Sequence, residues 1–423
     1  MDEENMFYIE EFKVENLAGR RGTVERKLDR YTNVFWGLNG SGKTTLMSII
    51  NLALLNRTTG ISRLPFEAAD IVLRNEELGI RLTRSFKKSK DQAQPQDADD
   101  DSSEDYSISP DVSISDDLIL EESAKEKGTW SNSIEFSGGA SDNDDRLKNW
   151  LDRRPRVAHL YLPITRISEG ILARYPPNRD PRLRDSEVDP VDTRFVNQVS
   201  RAWSFYSSKS NARIRDVQQE GLAEVLAILF GGRVSGNLDQ STQIKAEDSH
   251  ALVKSFLGEN NIRLDISKGM FIERYQKSRE HRAVVGKIEE VREKVDYILR
   301  PQKELQSVID EMYLGNKHLV LNKSPQRAMR PFGDSIEITV DGTQVPLWAL
   351  SSGEKQLLQL LLQVLSAGKS IVMIDEPEIS LHVDWQERVV NSMHRINPDA
   401  QLLLATHSPE VMVDVEDECV FEL

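Results

Sequence analysis

The stretch Gly37-Leu38-Asn39-Gly40-Ser41-Gly42-Lys43-Thr44 constrains this chain more than any other. It has the spacing G-x-x-x-x-G-K-[ST], in which glycines let the backbone turn tightly round a polyphosphate and aim its N–H groups inward. The flanks agree. Thr32 to Trp36 is β-branched and aromatic, which predicts a buried strand. Thr44 to Leu55 predicts a helix, with Leu46, Ile49, Ile50, Ala53 and Leu54 at helical spacing. A helix beginning there turns the positive end of its dipole to the same anion. Lys43 is then placed for the β- and γ-phosphates of ATP and the Thr44 hydroxyl for Mg²⁺. Asn39, Gly40, Ser41, Gly42 and Thr45 complete the expected cradle.

Three later stretches supply what a phosphate loop lacks. Ser370 to Ile374 is an unbroken apolar run that ends in Asp375 and Glu376. A strand without polar alternation is covered on both faces, as in a parallel sheet, and ligands gather at the carboxyl ends of such strands. Asp375 is placed to hold Mg²⁺ and Glu376 to act as general base for the attacking water. Gln401 to Thr406 predicts a second buried strand, capped by His407, which is placed for the γ-phosphate. Leu350-Ser351-Ser352-Gly353-Glu354 opens an apolar helix over Leu357 to Leu365, and the free N–H groups of its start suit a phosphate.

In this order the four motifs resemble the head of an ABC-type ATPase: phosphate loop, Leu-Ser-Ser-Gly-Glu signature, strand with Asp-Glu, and switch histidine. The run Ile374 to His382 with Ala405 to Pro409 is more similar to the SMC, RecF and OLD branch than to the transporters. The resemblance implies an α/β fold, a mostly parallel sheet plus an antiparallel lobe, interrupted by a helical or short coiled-coil subdomain. Its halves fall at 1–165 and 325–423, with 166–324 between them. It also implies a composite site. Lys43, Thr44, Asp375, Glu376 and His407 of one copy bind ATP and Mg²⁺, while Ser351, Ser352 and Gly353 of a second copy close over the triphosphate. The expected state is a head-to-head dimer or a higher homo-oligomer. Ser352 departs from the glycine usual in the family, and the glutamine of the family's Q-loop has no evident counterpart.

Composition sets limits on the rest. The net charge of −15 is concentrated, because Asp91 to Ala124 holds twelve acids and no Lys or Arg, leaving −3 elsewhere. Lys87 to Gly128 therefore reads as a disordered acidic insertion. A uniformly basic face for nucleic acid is absent. No apolar run reaches the length of a membrane span, the acidic start lacks a secretory apolar core, and Cys419 is the only cysteine. A cytoplasmic protein without a disulfide or cysteine–zinc site is expected. Short strands are expected at Phe7 to Val14, Thr23 to Leu28, within Asp70 to Phe86, and at Val157 to Pro163. Ile336 to Val340 and Gln344 to Leu347 flank Asp341-Gly342 as a hairpin. Helical patterns cover Phe195 to Tyr206, Leu222 to Phe230 and Ile272 to Met312, the last expected to kink or divide at Pro301. Arg20 and Arg21 are candidates to flank a bound base or ribose, and Arg166 to face the nucleotide or a partner.

Two functions fit these residues. Chains with a compact helical insertion resemble the ATPases of the PARIS and Septu anti-phage systems, which implies a scaffold that holds and releases a separate effector nuclease, with DNA or a phage protein as trigger. Only nineteen residues follow Leu404, too few for the nuclease domain of OLD proteins, so the chain is not expected to cut DNA by itself. The alternative is a RecF- or SMC-like repair ATPase that clamps DNA. Its phosphate contacts would fall to stretches such as Lys87-Lys88, Arg153-Arg154, and Arg327 with Arg330.

Overall fold

The computed structural model describes residues 7–55, 58–61, 63–76, 79–88, 130–138, 157–163, 190–230, 246–259, 262–263, 265–322 and 335–423. Most of the acidic insertion, the proline-rich connection before Pro190, and Arg153, Arg154, Arg166, Arg327 and Arg330 lie outside them. The chain divides into two compact units, one of residues 1–202, 308–320 and 336–423, the other of 203–307 and 321–335. Two of these borders fall inside long helices and two inside strands.

The first unit is built on a five-stranded parallel sheet. Its strands are β3 (Thr32–Trp36), β7 (His159–Leu162), β11 (Ile371–Asp375), β12 (Gln401–Thr406) and β13 (Val420–Glu422). Their order is β13-β3-β12-β11-β7, every neighbouring pair parallel. All residues of β11 and β12 are buried, as their unbroken apolar runs require. A second, antiparallel sheet is formed by β1 (Tyr8–Glu15), β2 (Thr23–Lys27), β4 (Ala68–Asn75), β5 (Ile80–Lys88) and β6 (Trp130–Gly138), in the order β2-β1-β4-β5-β6. The alternation within Asp70 to Phe86 is thus two strands of one hairpin. Lys87 and Lys88 belong to β5, and β6, whose Trp130, Ile134 and Phe136 fall on alternate positions of a mostly polar stretch, pairs along its edge.

Helix α1 (Lys43–Leu54) is packed into the core that the two sheets share. Leu46, Met47, Ile49, Ile50, Ala53 and Leu54 are fully buried, and each branched side chain among them contributes about 1.5–3 kcal/mol. Phe35 of β3 meets Phe12 edge-on at 5.7 Å and Phe421 at 5.8 Å, so the strand that feeds the phosphate loop is gripped from β1 and from β13.

A four-residue turn of helix, α2 (Thr58–Ile61), follows α1. Helix α3 (Pro190–Leu229) is one element of 40 residues, where two separate patterns were read. Helices α4 (Ala246–Glu259) and α5 (Lys268–Lys277) lead into α6 (Arg279–Met312). The expected break at Pro301 does not occur, because α6 runs through it. The chain breaks instead at Ser278, which is extended and receives a hydrogen bond from His281 N–H on its hydroxyl. A serine that caps the next helix ends one and starts another without a proline. The second unit has its own core of Val225, Phe256, Phe271, Val285, Ile288 and Val291, with neighbours. Gly221 permits that packing, since a Cβ there would stand 2.2 Å from Val291 Cγ2.

The chain continues into the small sheet β10-β9-β8, made of β8 (Lys317–Asn322), β9 (Ser335–Val340) and β10 (Thr343–Val345). The hairpin turn at Asp341-Gly342 is as expected, both residues at positive φ. Helices α7 (Ser352–Ala367) and α8 (Val383–Ile396) complete the fold.

Candidate functional site

Strand register brings the expected residues to one edge of the parallel sheet. β12 lies between β3 and β11. Thr406 pairs with Trp36, and Asp375 pairs with Ala405. The three segments that leave these strands, at Gly37, Glu376 and His407, therefore start in one layer at the carboxyl end of the sheet, where doubly wound folds bind ligands. The phosphate loop, both acids and the histidine thus lie along this one edge.

The loop itself is held in shape. Gly40 and Gly42 take φ of 83° and 106°, conformations that side chains with a Cβ rarely adopt. A Cβ on Gly37 would lie 2.8 Å from Ser41 Oγ and 2.9 Å from the Leu423 carbonyl, so only glycine fits. The Lys43 ammonium is buried and donates to the carbonyls of Gly37 and Leu38 at 2.7 and 3.3 Å. It is thereby parked over the loop's interior, where an anion's oxygens would replace those carbonyls. Ser41 Oγ is buried with no hydrogen-bond partner among the described residues. Arg20 donates to the Gly40 carbonyl at 3.0 Å. This exposed arginine, expected near a base or ribose, buttresses the outer rim of the phosphate loop.

Asp375 is 4% exposed, and neither of its oxygens has a well-formed hydrogen bond among the described residues. Burial pushes its carboxyl up to about 6, with Glu376 and Glu378 adding to the rise and Thr44 and Lys43 opposing it. An orphaned buried carboxylate beside a hydroxyl and an ammonium is costly unless a cation completes it. No group of three or more His, Cys, Asp or Glu gathers as a metal cage among the described residues. One carboxylate and one hydroxyl, with substrate oxygens and water filling the rest, is the manner in which Mg²⁺ is usually held. The residues thus fit Mg²⁺ together with a nucleoside triphosphate, Thr44 and Asp375 being the metal's protein partners. Tyr161 of β7 stands in the field of Asp375. Its hydroxyl is pushed up to about 12 by burial, while a hydrogen bond with Ser48 pulls the other way.

Glu376 adopts φ 54°, left-handed for a residue with a Cβ, and its N–H is pinned to the Ala405 carbonyl at 2.7 Å. That conformation costs on the order of 1 kcal/mol, the kind of local strain that gathers at functional sites. His407 Nδ1 lies 3.4 Å from Glu376 Oε1 and 3.1 Å from Glu378 Oε1. Glu378, which the sequence reading did not single out, is 5% exposed. Its Oε1 accepts from the Thr406 hydroxyl at 2.6 Å and from the N–H groups of His407 and Ser408 at 3.0 and 3.2 Å. The available signal was a third acid two positions past Glu376, in a turn closing a buried strand.

The signature segment lies apart. Ser351 caps α7 in a capping box: its hydroxyl accepts from Glu354 N–H at 3.4 Å and its own N–H donates to Glu354 Oε2 at 2.9 Å. Burial raises the Glu354 carboxyl, but the bonds from Lys317 and Ser351 outweigh that and leave it lowered. Lys317 reaches Glu354 at 2.5 Å, and the Tyr313 hydroxyl donates to the Glu354 carbonyl at 2.6 Å. A Cβ on Gly353 would lie 2.8 Å from the Ser380 carbonyl, so α7 abuts the turn that follows Glu376. Among the described residues no hydrogen bond joins Ser351, Ser352 or Gly353 to the phosphate loop of the same chain.

The chain is 28% identical over 136 residues to the retron Vc95 probable ATPase of Vibrio cholerae serotype O1 biovar El Tor, covering 29% of this chain and 25% of that protein. It is 27% identical over 139 residues to the retron Ec83 probable ATPase of Escherichia coli, covering 29% and 24%. The chain spans about a quarter of the length of these relatives. Among solved structures, the Smc head domain of Pyrococcus furiosus with the C-terminal domain of ScpA superposes with a TM-score of 0.41 at 13% identity, covering 96% of this chain and 91% of that one. The Smc head of Pyrococcus yayanosii with a coiled coil and joint gives 0.42 at 13%, covering 96% and 93%. No described helix is long and apolar enough to cross a membrane. Residues 33–414 match the family described as "AAA domain, putative AbiEii toxin, Type IV TA system", and the chain belongs to that family.

Proposed function

We propose that this chain binds and hydrolyses ATP with Mg²⁺, as an ABC-type ATPase whose heads dimerise. The observation that carries the reading is the buried, unsatisfied Asp375 in the field of Lys43 and Thr44, with Glu376 and His407 on the same sheet edge. Lys43 and the loop N–H groups hold the phosphates, Glu376 takes a proton from water aligned for attack, and His407 faces the γ-phosphate side. Mg²⁺, when bound, neutralises charge on the β- and γ-oxygens. Lys43→Ala abolishes nucleotide binding. Glu376→Gln retains ATP and does not turn it over; a Glu376→Gln protein that hydrolyses at the normal rate removes Glu376 from this role.

Two observations support the shared site. The signature serine and glycine do not bond to their own loop, and Leu38 of the loop and Trp348 beside the signature are exposed, at 81% and 45%. A second copy that brings its Ser351 to this loop would cover them.

The retron ATPases among the relatives favour a place in defence, with the ATPase controlling a separate effector nuclease, as the likeness to the PARIS and Septu ATPases implies. Co-purification with the product of a neighbouring nuclease gene tests this. Tight ATP-dependent DNA binding that weakens steeply with salt, without such a partner, would favour the DNA clamp instead.

A further inference from the structure

We propose that Glu378 is the positioning residue that sets where His407 stands, an inference that rests on the ATPase reading of this site. One oxygen of Glu378 gathers the Thr406 hydroxyl and the N–H groups of His407 and Ser408, and lies 3.1 Å from His407 Nδ1. Its backbone carbonyl accepts from Gln386 Nε2 at 3.4 Å, and Gln386 Oε1 in turn accepts from the Ser408 hydroxyl at 2.8 Å. The turn that leaves β12 is thus clamped from both the side chain and the main chain of Glu378. Charge-assisted bonds to a buried carboxylate are about twice as strong as neutral ones, so this clamp is stiff. With Nδ1 engaged by carboxylates, Nε2 is the ring nitrogen left for a bound phosphate. Glu378 touches neither phosphate nor water in this scheme. It acts on the reaction through His407.

A purely architectural acid would alter folding and nucleotide affinity. A positioning acid alters turnover, and only through the histidine. The test is a cycle in the full-length chain: Glu378→Ala, His407→Ala and the double variant, with kcat, KM for ATP, and the affinity of a non-hydrolysable fluorescent ATP analogue. Glu378→Ala is expected to lower kcat by about 10–100-fold, as loss of an orienting partner does, with KM and analogue affinity within about threefold. His407→Ala should cost at least as much, and the double variant no more than His407→Ala alone. Glu378→Gln, which keeps an oxygen acceptor, should retain more turnover than Glu378→Ala, and it replaces Glu378→Ala in the cycle if that protein does not fold. Normal kcat in both Glu378 variants, losses that multiply in the double variant, or loss of analogue binding would each overturn the proposal while leaving the ATPase reading intact. An unaltered chain that hydrolyses no ATP would overturn both.

Discussion

Asp375 shows how one residue can be bad for the fold and needed by the site. Burial pushes its carboxyl up to about 6 in the folded chain, against the ordinary aspartate value of 3.8. Between those pH values the folded state holds the extra proton, so the stability contribution of this group falls as pH rises from about 4 to about 6 and is level above. At pH 8 the ionised group costs up to about 3 kcal/mol, at about 1.36 kcal/mol per pH unit. Asp375→Asn is therefore expected to raise the melting temperature of ligand-free protein by a few degrees while abolishing Mg²⁺-dependent turnover. A drop in melting temperature would show that the carboxylate is satisfied after all. The same proton competes with the cation. Affinity for Mg²⁺-ATP should fall about tenfold for each pH unit below about 6 and stay level from pH 7 to 8, as titration calorimetry would read.

At the scale of elements, the site depends on close approaches that glycine alone allows. Gly37 carries the chain from β3 into the phosphate loop under Ser41 and against the Leu423 carbonyl of the terminal strand segment. Gly37→Ala must push β3, the loop or β13 aside, so nucleotide affinity should drop at least tenfold and thermal stability should fall with it. Gly258, in helix α4 with open space where a Cβ would go, is the control. Gly258→Ala should leave nucleotide affinity unchanged and add about 0.5–1 kcal/mol of stability. Equal behaviour of the two variants would mean that the loop tolerates a side chain and is not packed as described.

For the whole molecule, the question is whether one chain makes a complete site. If the signature of one copy serves the loop of another, Lys43→Ala and Ser351→Arg each abolish turnover for different reasons. Mixed, they leave one intact pairing, the loop of the Ser351→Arg chain with the signature of the Lys43→Ala chain. An equimolar mixture should regain roughly a quarter of normal activity, since about half of random dimers are mixed and each carries one good site. No recovery at any ratio, with mixed dimers confirmed by mass, would argue against the signature of one copy serving the loop of another.

The motifs at Gly37–Thr44, Asp375–Glu376 and His407 were readable in order along the chain because each is local: a strand, a turn and a few side chains within ten residues. Periodicity likewise marked β11 and β12, since burial on both faces leaves nothing polar to interrupt them. Other features depended on partners far along the chain. The edge strand β6 has only Trp130, Ile134 and Phe136 at alternate positions of an otherwise polar stretch, and β5 supplies the ladder that fixes its register. Pro301 lies inside a continuous helix, while the break falls at a serine with a capping role. Glu378 looked like one more acid in a turn until the fold set Thr406, His407 and Ser408 around it, 28 to 30 positions later. Hydrogen bonds and desolvation act over a few ångströms of space, so which polar group matters is decided by what the folded chain brings within that reach.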